Sequence, residues 1–310
     1  MRGSTAIRAG ALAVVAAGVA LPPLRGRLRL PNWAVLAPST IAPAALCVLA
    51  PPSRRRDVGV SMLQMWAYIA AYEMPADEPD VQRRRVHVRY PVAIDKVIGF
   101  GKIPSVRLQR RFHEQGRLRA LERVLVWSHW VWFMIPHATL ITVLLRRRER
   151  FAASAARMYA VFDLGAIVYS ALPTAPPWYA GELGLLDDGD TRHLRRLMLE
   201  YGEEFWRDGW GPIYSLLAGN QLAAMPSLHF ATSVMGAHLL AEQGTVEGAI
   251  GWTYALTLGV ALVYLGEHYV VDLLAGLALT ESVRRAAPRL TPAAKSLAGG
   301  LDRLRLLAQG

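Results

Sequence analysis

The chain has 310 residues, of which 53% are hydrophobic and 19% charged, with a formal net charge of +11. Soluble domains are commonly about 45–50% apolar and about 25% charged, so this composition favours a membrane protein and excludes a disordered chain. A single cysteine, Cys47, excludes an internal disulfide framework and a cysteine-rich metal site. The basic excess suits an anionic membrane surface. Nucleic acid is disfavoured as a partner, because the arginine clusters alternate with apolar runs instead of forming one face.

Eight apolar runs predict membrane-spanning helices, because a bilayer core is crossed by ~20 mostly apolar helical residues. In chain order, the runs are 6–21, 33–50, 58–72, 124–145, 151–172, 227–241, 249–265 and 269–283. The sequence therefore predicts an all-α, polytopic transmembrane helix bundle. The first run follows Arg2 and Arg8 and ends in small residues. It is either a cleaved signal peptide or, in the interpretation we favour, an ordinary first span.

Arginines near the ends of the runs predict the orientation, since Lys and Arg concentrate on the cytoplasmic side of a membrane. With residues 54–56, 146–150 and the C-terminal tail in the cytoplasm, residues 173–226 and the turn at Gly266 lie outside. The Arg-rich segment 73–121 would also lie outside and resists this assignment. Long segments obey the rule less strictly, and this one is suited to lie along the membrane surface.

Three ionisable residues at the ends of apolar runs are the strongest candidates for chemistry, since charge near the bilayer core is costly and marks functional sites. His229 begins one run, and His268 begins the last one, with Asp272 one helical turn after it. The run between the two histidines returns the chain to the membrane side where His229 lies. The sequence therefore predicts that the three side chains meet at one interfacial site.

This set of residue types suits phosphoryl transfer. A carboxylate that accepts one ring N–H of a histidine fixes its tautomer, so that the other ring nitrogen can attack phosphorus. A second histidine can protonate the leaving alkoxide, and the N–H groups at the two helix starts can bind phosphate. The sequence thus predicts a phosphohistidine mechanism without metal or other cofactor. A metal site of two histidines and one carboxylate remains an alternative.

Other polar and aromatic residues in the runs receive structural interpretations. We expect His129, His137 and His238 to be structural, as a lone helical histidine commonly is. Asp163 lies within a run and requires a partner. The following tryptophans fit the aromatic belts found at membrane interfaces: Trp127, Trp130, Trp132, Trp178, Trp206 and Trp210.

Two motifs resemble the type 2 phosphatidic acid phosphatase superfamily. Residues 226–229, Pro-Ser-Leu-His, resemble its Pro-Ser-x-His motif, and residues 268–272 resemble its His-x-x-x-Asp motif. Upstream residues resemble the branch that contains fungal inositol phosphorylceramide synthase, the aureobasidin-sensitive inositol phosphotransferase. These upstream residues are the Pro-rich stretch 173–178 and the pairs Tyr90-Pro91, Asp95-Lys96 and Leu108-Gln109. The resemblance covers roughly residues 88–279.

The resemblance implies a fold and a set of roles. His268 would be the nucleophile, Asp272 its orienting partner and His229 the general acid. The fold would be a bundle of six core transmembrane helices plus about two N-terminal helices, with the site on the extracytoplasmic side. Three segments follow from this comparison: an N-terminal transmembrane or signal-like segment at 1–57, a phosphatase-like membrane domain at 58–285 and a basic tail at 286–310.

The chain also departs from the common phosphatase pattern, which carries a Lys/Arg-Pro motif upstream and an arginine six residues before the nucleophile. Here that second position is Leu262, and the chain contains no Arg-Pro pair. Other cations must therefore bind phosphate. The candidates are Lys96, Arg107, Arg110 and Arg207. Ser227, Asn220 and Glu267 are further candidate substrate contacts, and Glu267 beside the nucleophile suits a polyol head group.

The sequence thus predicts an integral membrane, multi-pass lipid phosphatase or phosphotransferase that needs no metal. Its partners would be a membrane lipid and, for transfer, an alcohol or polyol acceptor. Water as acceptor gives a phosphatase and an alcohol gives a transferase; the branch-like features favour transfer of an inositol-phosphate-type group.

The alternative is a transporter or non-catalytic scaffold whose intramembrane charges relay ions. The absence of repeated sequence halves disfavours a transporter. The oligomeric state is not indicated.

Overall fold

The computed structural model describes residues 2–112, 119–186 and 194–309, apart from the side chains of residues 2 and 215–218. These parts form α-helices joined by turns and short extended stretches, which confirms the predicted all-α fold class. The helices are α1 (Arg2–Leu28), α2 (Asn32–Leu49), α3 (Arg54–Glu73), α4 (Pro79–Arg85), α5 (Arg89–Ile98), α6 (Pro104–Phe112), α7 (Ala120–Val131), α8 (Ile135–Arg146), α9 (Arg148–Ala171), α10 (Pro177–Glu182), α11 (Leu197–Trp206), α12 (Trp210–Ala218), α13 (Leu228–Ala241), α14 (Thr245–Tyr264) and α15 (Val270–Gln309).

Each of the eight predicted runs is helical, and the chain is a multi-pass integral membrane protein. Four of the described helices, α1, α2, α9 and α14, are long and apolar enough to cross a membrane. A fifth span is formed if α7 and α8 act together, with a bend of 58° between them. The apolar helix α13 is shorter, and the runs in α3 and α15 belong to helices with more charged residues.

Helix α13 lies at the centre of the bundle and packs against α8, α9, α14 and α15. Because neighbours surround it, most of its residues are buried, and a helix in that position needs to be apolar on every face. Gly251 of α14 allows a close approach, since a Cβ there would lie 2.8 Å from the Cα of Ala237. The start of α13 is therefore held in a fixed place within the core.

The C-terminal tail continues the last helix. Helix α15 runs without a break through residue 285 and packs against α1 and α2. The hydroxyl of Ser4 donates to the carbonyl of Ala308 at 2.9 Å. The tail thus joins the N-terminal helices, and α3 already begins at Arg54, before the limit placed at residue 57. The division into three segments remains a prediction from the resemblance.

Two loop segments pair with each other on the side where α13 and α15 begin. The N–H of His87 donates to the carbonyl of Pro173 at 2.8 Å, and the N–H of Ala175 donates to that of His87 at 2.9 Å. The N–H of Ala224 donates to the carbonyl of Thr174 at 2.9 Å. These bonds connect segment 73–112 and segment 173–186 to the turn before α13. The Arg-rich segment 73–112 and the Pro-rich segment 173–186 therefore both lie at the end of the bundle that carries the two histidines.

Candidate active site

The start of α13 is fixed by hydrogen bonds to side chains. The hydroxyl of Ser227 caps the helix by accepting from the N–H of Phe230 at 3.3 Å. The hydroxyl of Tyr169, on α9, donates to the carbonyl of Pro226 at 2.7 Å and accepts from the N–H of Leu228 at 3.3 Å. The histidine that follows, His229, is thus presented from a rigid first turn.

A tight turn joins α14 to α15 and carries the second histidine. Gly266 has a φ of +78°, a left-handed conformation that glycine adopts without steric cost. The N–H of His268 donates to the carbonyl of Leu262 at 3.1 Å. The turn therefore folds back on the last turn of α14 and directs residue 268 into the bundle.

Two carboxylates cap the start of α15. Oδ2 of Asp272 accepts from the N–H of Tyr269 at 2.9 Å. Asp95, on α5, accepts from the N–H groups of Val270 at 3.0 Å and Val271 at 2.9 Å. Negative charge is favourable at a helix N-terminus, so both carboxylates stabilise this end of α15. The sequence analysis assigned these N–H groups to phosphate, but the structure shows that they bind protein carboxylates.

The starts of α13 and α15 are joined directly. The N–H of Ser227 donates to the backbone carbonyl of Asp272 at 2.9 Å, and the hydroxyl of Thr280 donates to the carbonyl of Ala231 at 2.8 Å. Gly276 permits this contact, because a Cβ there would lie 2.7 Å from the carbonyl oxygen of Ser227. A larger residue at position 276 would push the two helix starts apart.

These contacts bring His229, His268 and Asp272 together. Nδ1 of His268 lies 3.3 Å from Oδ2 of Asp272, and Nε2 lies 3.3 Å from Nδ1 of His229. Both His268 and Asp272 are buried. With Asp272 as acceptor, His268 carries its proton on Nδ1, which leaves Nε2 with a lone pair facing His229. Among the residues that the structure describes, no group of three His, Cys, Asp or Glu is arranged to hold a metal ion.

His229 lies between two further aromatic rings. The centroid of Trp132 is 4.1 Å from that of His229, and the centroid of His129 is 4.7 Å from it. Trp132 is itself held by its indole N–H, which donates to Thr232 at 2.9 Å. His129 was expected to be structural, but it lies beside His229 in the site. Its position on α7, across the bundle from α13, gave no signal in the sequence.

A cavity of about 480 Å³ opens onto the two histidines. Its inner end is polar and includes Arg196, Glu267 and Asn220 beside the histidine pair. Its outer end lies between α3 and the bend that joins α7 to α8, and the side chains there are Met65, Trp66, Ile69, Phe133, Pro136 and His137. Three of these outer residues are also partly exposed on the surface of the bundle: Trp66, Ile69 and Phe133. We call the two regions the polar end and the apolar mouth.

The cavity lining contains buried polar atoms that have no hydrogen-bond partner among the described residues. They are Nδ1 of His129, Nε1 of Trp130, Nε of Arg196, Nε1 of Trp210, Nδ2 of Asn220 and Oε1 of Glu267. A buried polar group left without a partner costs about 1–3 kcal/mol, so native sites commonly bind water or ligand there. Most of these atoms are hydrogen-bond donors, as binding an oxygen-rich anion requires.

Arg196 is held in place at the polar end. Its guanidinium carbon lies 3.8 Å from the centroid of the Trp178 ring, and Nη2 donates to the hydroxyl of Tyr214 at 2.9 Å. Among the cavity-lining residues that the structure describes, Arg196 is the one arginine or lysine. The sequence analysis did not select it, because nothing in the local pattern around residue 196 distinguishes it from the neighbouring arginines.

The predicted substrate contacts fall into two groups. Glu267 and Asn220 line the cavity, and the amide of Gln82 donates to Oδ1 of Asn220. Ser227 is buried as the cap of α13, while Lys96 and Arg207 are not among the cavity-lining residues. Arg107 and Arg110 also lie outside the cavity lining.

Four of the tryptophans lie in the cavity wall. These residues are Trp130, Trp132, Trp178 and Trp210, and the last three are buried. Trp130 stacks on Tyr201 with ring centroids 5.5 Å apart. The belt interpretation stays a prediction for these residues, which in addition form part of the cavity wall.

Comparisons with known proteins agree with the motifs. Residues 92–282 match the PAP2 superfamily. Inositol phosphorylceramide synthase of Candida albicans (strain SC5314 / ATCC MYA-2876) is 31% identical over 125 residues, which are 39% of this chain and 26% of that protein. The aligned part thus spans about a quarter of the relative's length. No solved structure matches the chain. The family match covers more than half of the 310 residues and includes both histidine motifs, so this chain belongs to the PAP2 superfamily.

Proposed function

We propose that this protein is a membrane lipid phosphatase or phosphotransferase that works through a phosphohistidine at His268. One observation carries the proposal. Nδ1 of His268 faces Asp272 while Nε2 faces His229, each at 3.3 Å. A buried imidazole held by a carboxylate on one side and open to a second imidazole on the other is equipped to attack phosphorus and to have its leaving group protonated.

In the first step, Nε2 of His268 attacks the phosphorus of a lipid phosphate ester or diester. A bond forms between Nε2 and phosphorus as the bond from phosphorus to the leaving oxygen breaks. His229, in its protonated form, gives its proton to that oxygen, which departs as an alcohol. Throughout this step, Asp272 accepts a hydrogen bond from Nδ1–H of His268. Its negative charge stabilises the positive charge that develops on the ring of His268.

In the second step, an oxygen nucleophile attacks the phosphorus on His268. His229, now neutral, removes the proton from that nucleophile, and the bond between Nε2 and phosphorus breaks. With a monoester substrate, water releases phosphate and an alcohol yields a new phosphate monoester. With a diester substrate, water releases a phosphate monoester and an alcohol yields a new phosphodiester. The two histidines therefore serve both reactions, and the occupant of the polar end selects between them.

The apolar mouth supports a lipid as substrate. Trp66 and Ile69 of α3 and Phe133 at the α7–α8 bend line the cavity and also reach the outer surface of a membrane-spanning bundle. Such side chains are about as apolar as lipid tails, so acyl chains can contact them as readily as they contact the bilayer. A lipid can thus keep its chains at the mouth while its phosphate reaches His268.

The polar end supports transfer of a hydroxyl-rich head group, of inositol-phosphate type, to an alcohol or polyol acceptor. Oε1 of Glu267 is buried in the cavity without a partner among the described residues, and Nδ2 of Asn220 is likewise unpaired. Burial raises the pKa of Glu267 above its usual value, and the charges of Arg196 and His268 oppose this rise. A carboxylate in this position accepts hydrogen bonds from hydroxyl groups. The similarity to an inositol phosphorylceramide synthase also favours an inositol-phosphate-type head group.

The proposed site faces the extracytoplasmic side. This follows from placing the arginine-rich ends at residues 54–56 and 146–150 in the cytoplasm, which puts the turn at Gly266 on the other side. Labelling of single cysteines introduced at exposed positions of that end, in intact cells with a membrane-impermeant reagent, tests the assignment. Labelling only after permeabilisation would contradict it.

The most informative test is a panel of lipid substrates with and without acceptors. The purified full chain in detergent is incubated with phosphatidic acid or phosphatidylinositol, alone and with ceramide or inositol, and the products are identified by mass. We expect a new phosphodiester in the presence of one acceptor, and a free phosphate or phosphate ester in its absence. Turnover in detergent, where no ion gradient exists, would also exclude the transporter alternative. No product from any combination would contradict the proposal.

Metal independence is a separate part of the proposal. The mechanism above uses no metal, so turnover should be unchanged after extensive treatment with a strong chelator. Loss of turnover that one divalent ion restores would instead favour a metal site built on the histidine pair.

A further inference from the structure

We infer that Arg196 is the phosphate-binding cation of this site and holds the non-bridging oxygens of the lipid phosphate while His268 attacks. This inference rests on the proposed function and identifies the residue that takes the place of the missing arginine motifs. The nearest family-like position, six residues before His268, is Leu262 and carries no charge.

Most N–H groups at the two helix starts already have acceptors within the protein. The N–H groups at the start of α15, from residues 269–271, bind Asp272 and Asp95. At the start of α13, Tyr169 and the cap residue Ser227 accept two N–H groups. Because protein oxygens already occupy most of these donors, an anion in the cavity is bound better with a cationic side chain.

Arg196 meets that need by its position in the cavity. It lines the same cavity as His229 and His268, and it is the one arginine or lysine among the lining residues that the structure describes. Its Nε is buried and has no hydrogen-bond partner in the described residues. A guanidinium stacked on Trp178 still directs its in-plane N–H groups outward. This planar fork matches two phosphate oxygens at once.

The backbone that carries Arg196 is also fixed beside the histidine turn. The side chain of Gln109 accepts from the N–H of Arg195 at 2.8 Å and donates to its carbonyl at 2.9 Å. The same amide donates to the carbonyl of Tyr264 at 2.8 Å, at the end of α14. Gln109 thus connects residue 195 to the helix end that leads into the turn with His268. A preorganised cation loses little entropy when the phosphate binds.

Substitution of Arg196 tests the inference, with turnover of a lipid phosphate and inhibition by orthovanadate as readouts. Hydrogen bonds to charged groups are worth about 1.5–3 kcal/mol, so Arg196→Ala should raise both KM and the vanadate inhibition constant by about 10- to 100-fold. Arg196→Lys keeps the charge but loses the fork and the stacking, and should fall between Ala and wild type. Added guanidinium ion should restore part of the turnover of Arg196→Ala and leave Arg196→Lys unchanged.

Arg123 provides a matched control. It also lies over an aromatic ring, 5.8 Å from the centroid of Tyr201, and pairs with Glu204, but it is not a cavity-lining residue. Arg123→Ala should keep the wild-type KM and vanadate inhibition constant. An Arg196→Ala enzyme with unchanged vanadate inhibition would overturn the inference while leaving the proposed function intact. A wild type without turnover on any lipid phosphate would overturn the proposed function and this inference with it.

Discussion

The polar end and the apolar mouth of the cavity are built in different ways. At the polar end, backbone hydrogen bonds and a close contact at Gly276 fix the starts of α13 and α15 relative to each other. At the mouth, Trp66 projects from α3 and Phe133 from the bend between α7 and α8, and both remain partly exposed. Chemistry needs groups held to a fraction of an ångström, whereas binding an acyl chain needs only apolar area. The catalytic histidines at the polar end should therefore respond to substitution in kcat, whereas the side chains of the apolar mouth should respond in KM.

The largest effect is expected at His268, because it forms the covalent bond. His268→Ala should lower kcat by more than about 10⁴-fold. Substitution of a histidine that lies between the same two helices, α13 and α15, but outside the cavity should leave kcat unchanged. His238 is a suitable control, since it pairs with Glu281 at 2.8 Å and lies outside the cavity lining. Full turnover in His268→Ala would remove the nucleophile assignment.

A smaller effect is expected at His229, and it should depend on the leaving group. General acid catalysis is typically worth 10²–10⁴-fold, so His229→Ala should lose about that much with an alkyl phosphate ester. With a nitrophenyl phosphate, whose leaving oxygen needs no proton, the loss should be much smaller. Equal losses with both substrates would show that His229 does not protonate the leaving group.

At the apolar mouth the effect should be on KM alone. Trp66→Ala should raise KM for a long-chain lipid by about 3- to 10-fold, since part of an aromatic contact is lost. A short-chain, water-soluble analogue should show no change. Trp127 is a matched control, because it is 39% exposed, close to the 36% of Trp66, but is not a cavity-lining residue. If Trp127→Ala raised KM as much as Trp66→Ala, the mouth would have no specific role.

The smallest effect is expected on the free energy of unfolding and comes from Asp95, whose carboxylate binds N–H groups at the start of α15. Burial raises the pKa of Asp95 to about 6, against the effect of its hydrogen bonds from Val270 and Val271. In an unfolded chain the pKa would be about 3.9. Between these values the folded protein binds more protons than the unfolded one, so this residue lowers stability as pH rises from about 4 to about 6. Asp95→Asn should flatten that pH dependence in thermal unfolding in detergent. An unchanged profile would contradict the assigned pKa.

Local sequence patterns were sufficient for part of this account. Apolar runs of helical length predicted the positions of the core helices, although the single run at 124–145 is divided into α7 and α8 by a bend of 58°. The spacing of His268 and Asp272, with the return of the chain between the two histidines, predicted their meeting. These features depend on residues close in sequence or on simple connectivity, which periodicity and span counting capture.

Other features depend on contacts between distant segments, and the sequence could not provide them. His129, on α7, and Arg196, just before α11, reach the cavity through contacts between segments far apart in sequence, and neither lies in a distinctive local pattern. The N–H groups of α15 looked free for phosphate until Asp95, 175 residues before Val270, was seen to bind them. The contact of the basic tail with the N-terminal helices likewise joins segments at opposite ends of the sequence, as between Ser4 and Ala308.

Trapping of the covalent intermediate tests the central claim most directly. The purified full chain is mixed with a lipid whose phosphate is labelled, quenched within one turnover in alkali, which preserves phosphohistidine, and analysed by peptide mass spectrometry. The account predicts label on the peptide that contains His268, and none in a His268→Asn chain that still binds the lipid. Rapid turnover by the wild type with no label at position 268, or label on another residue, would contradict it.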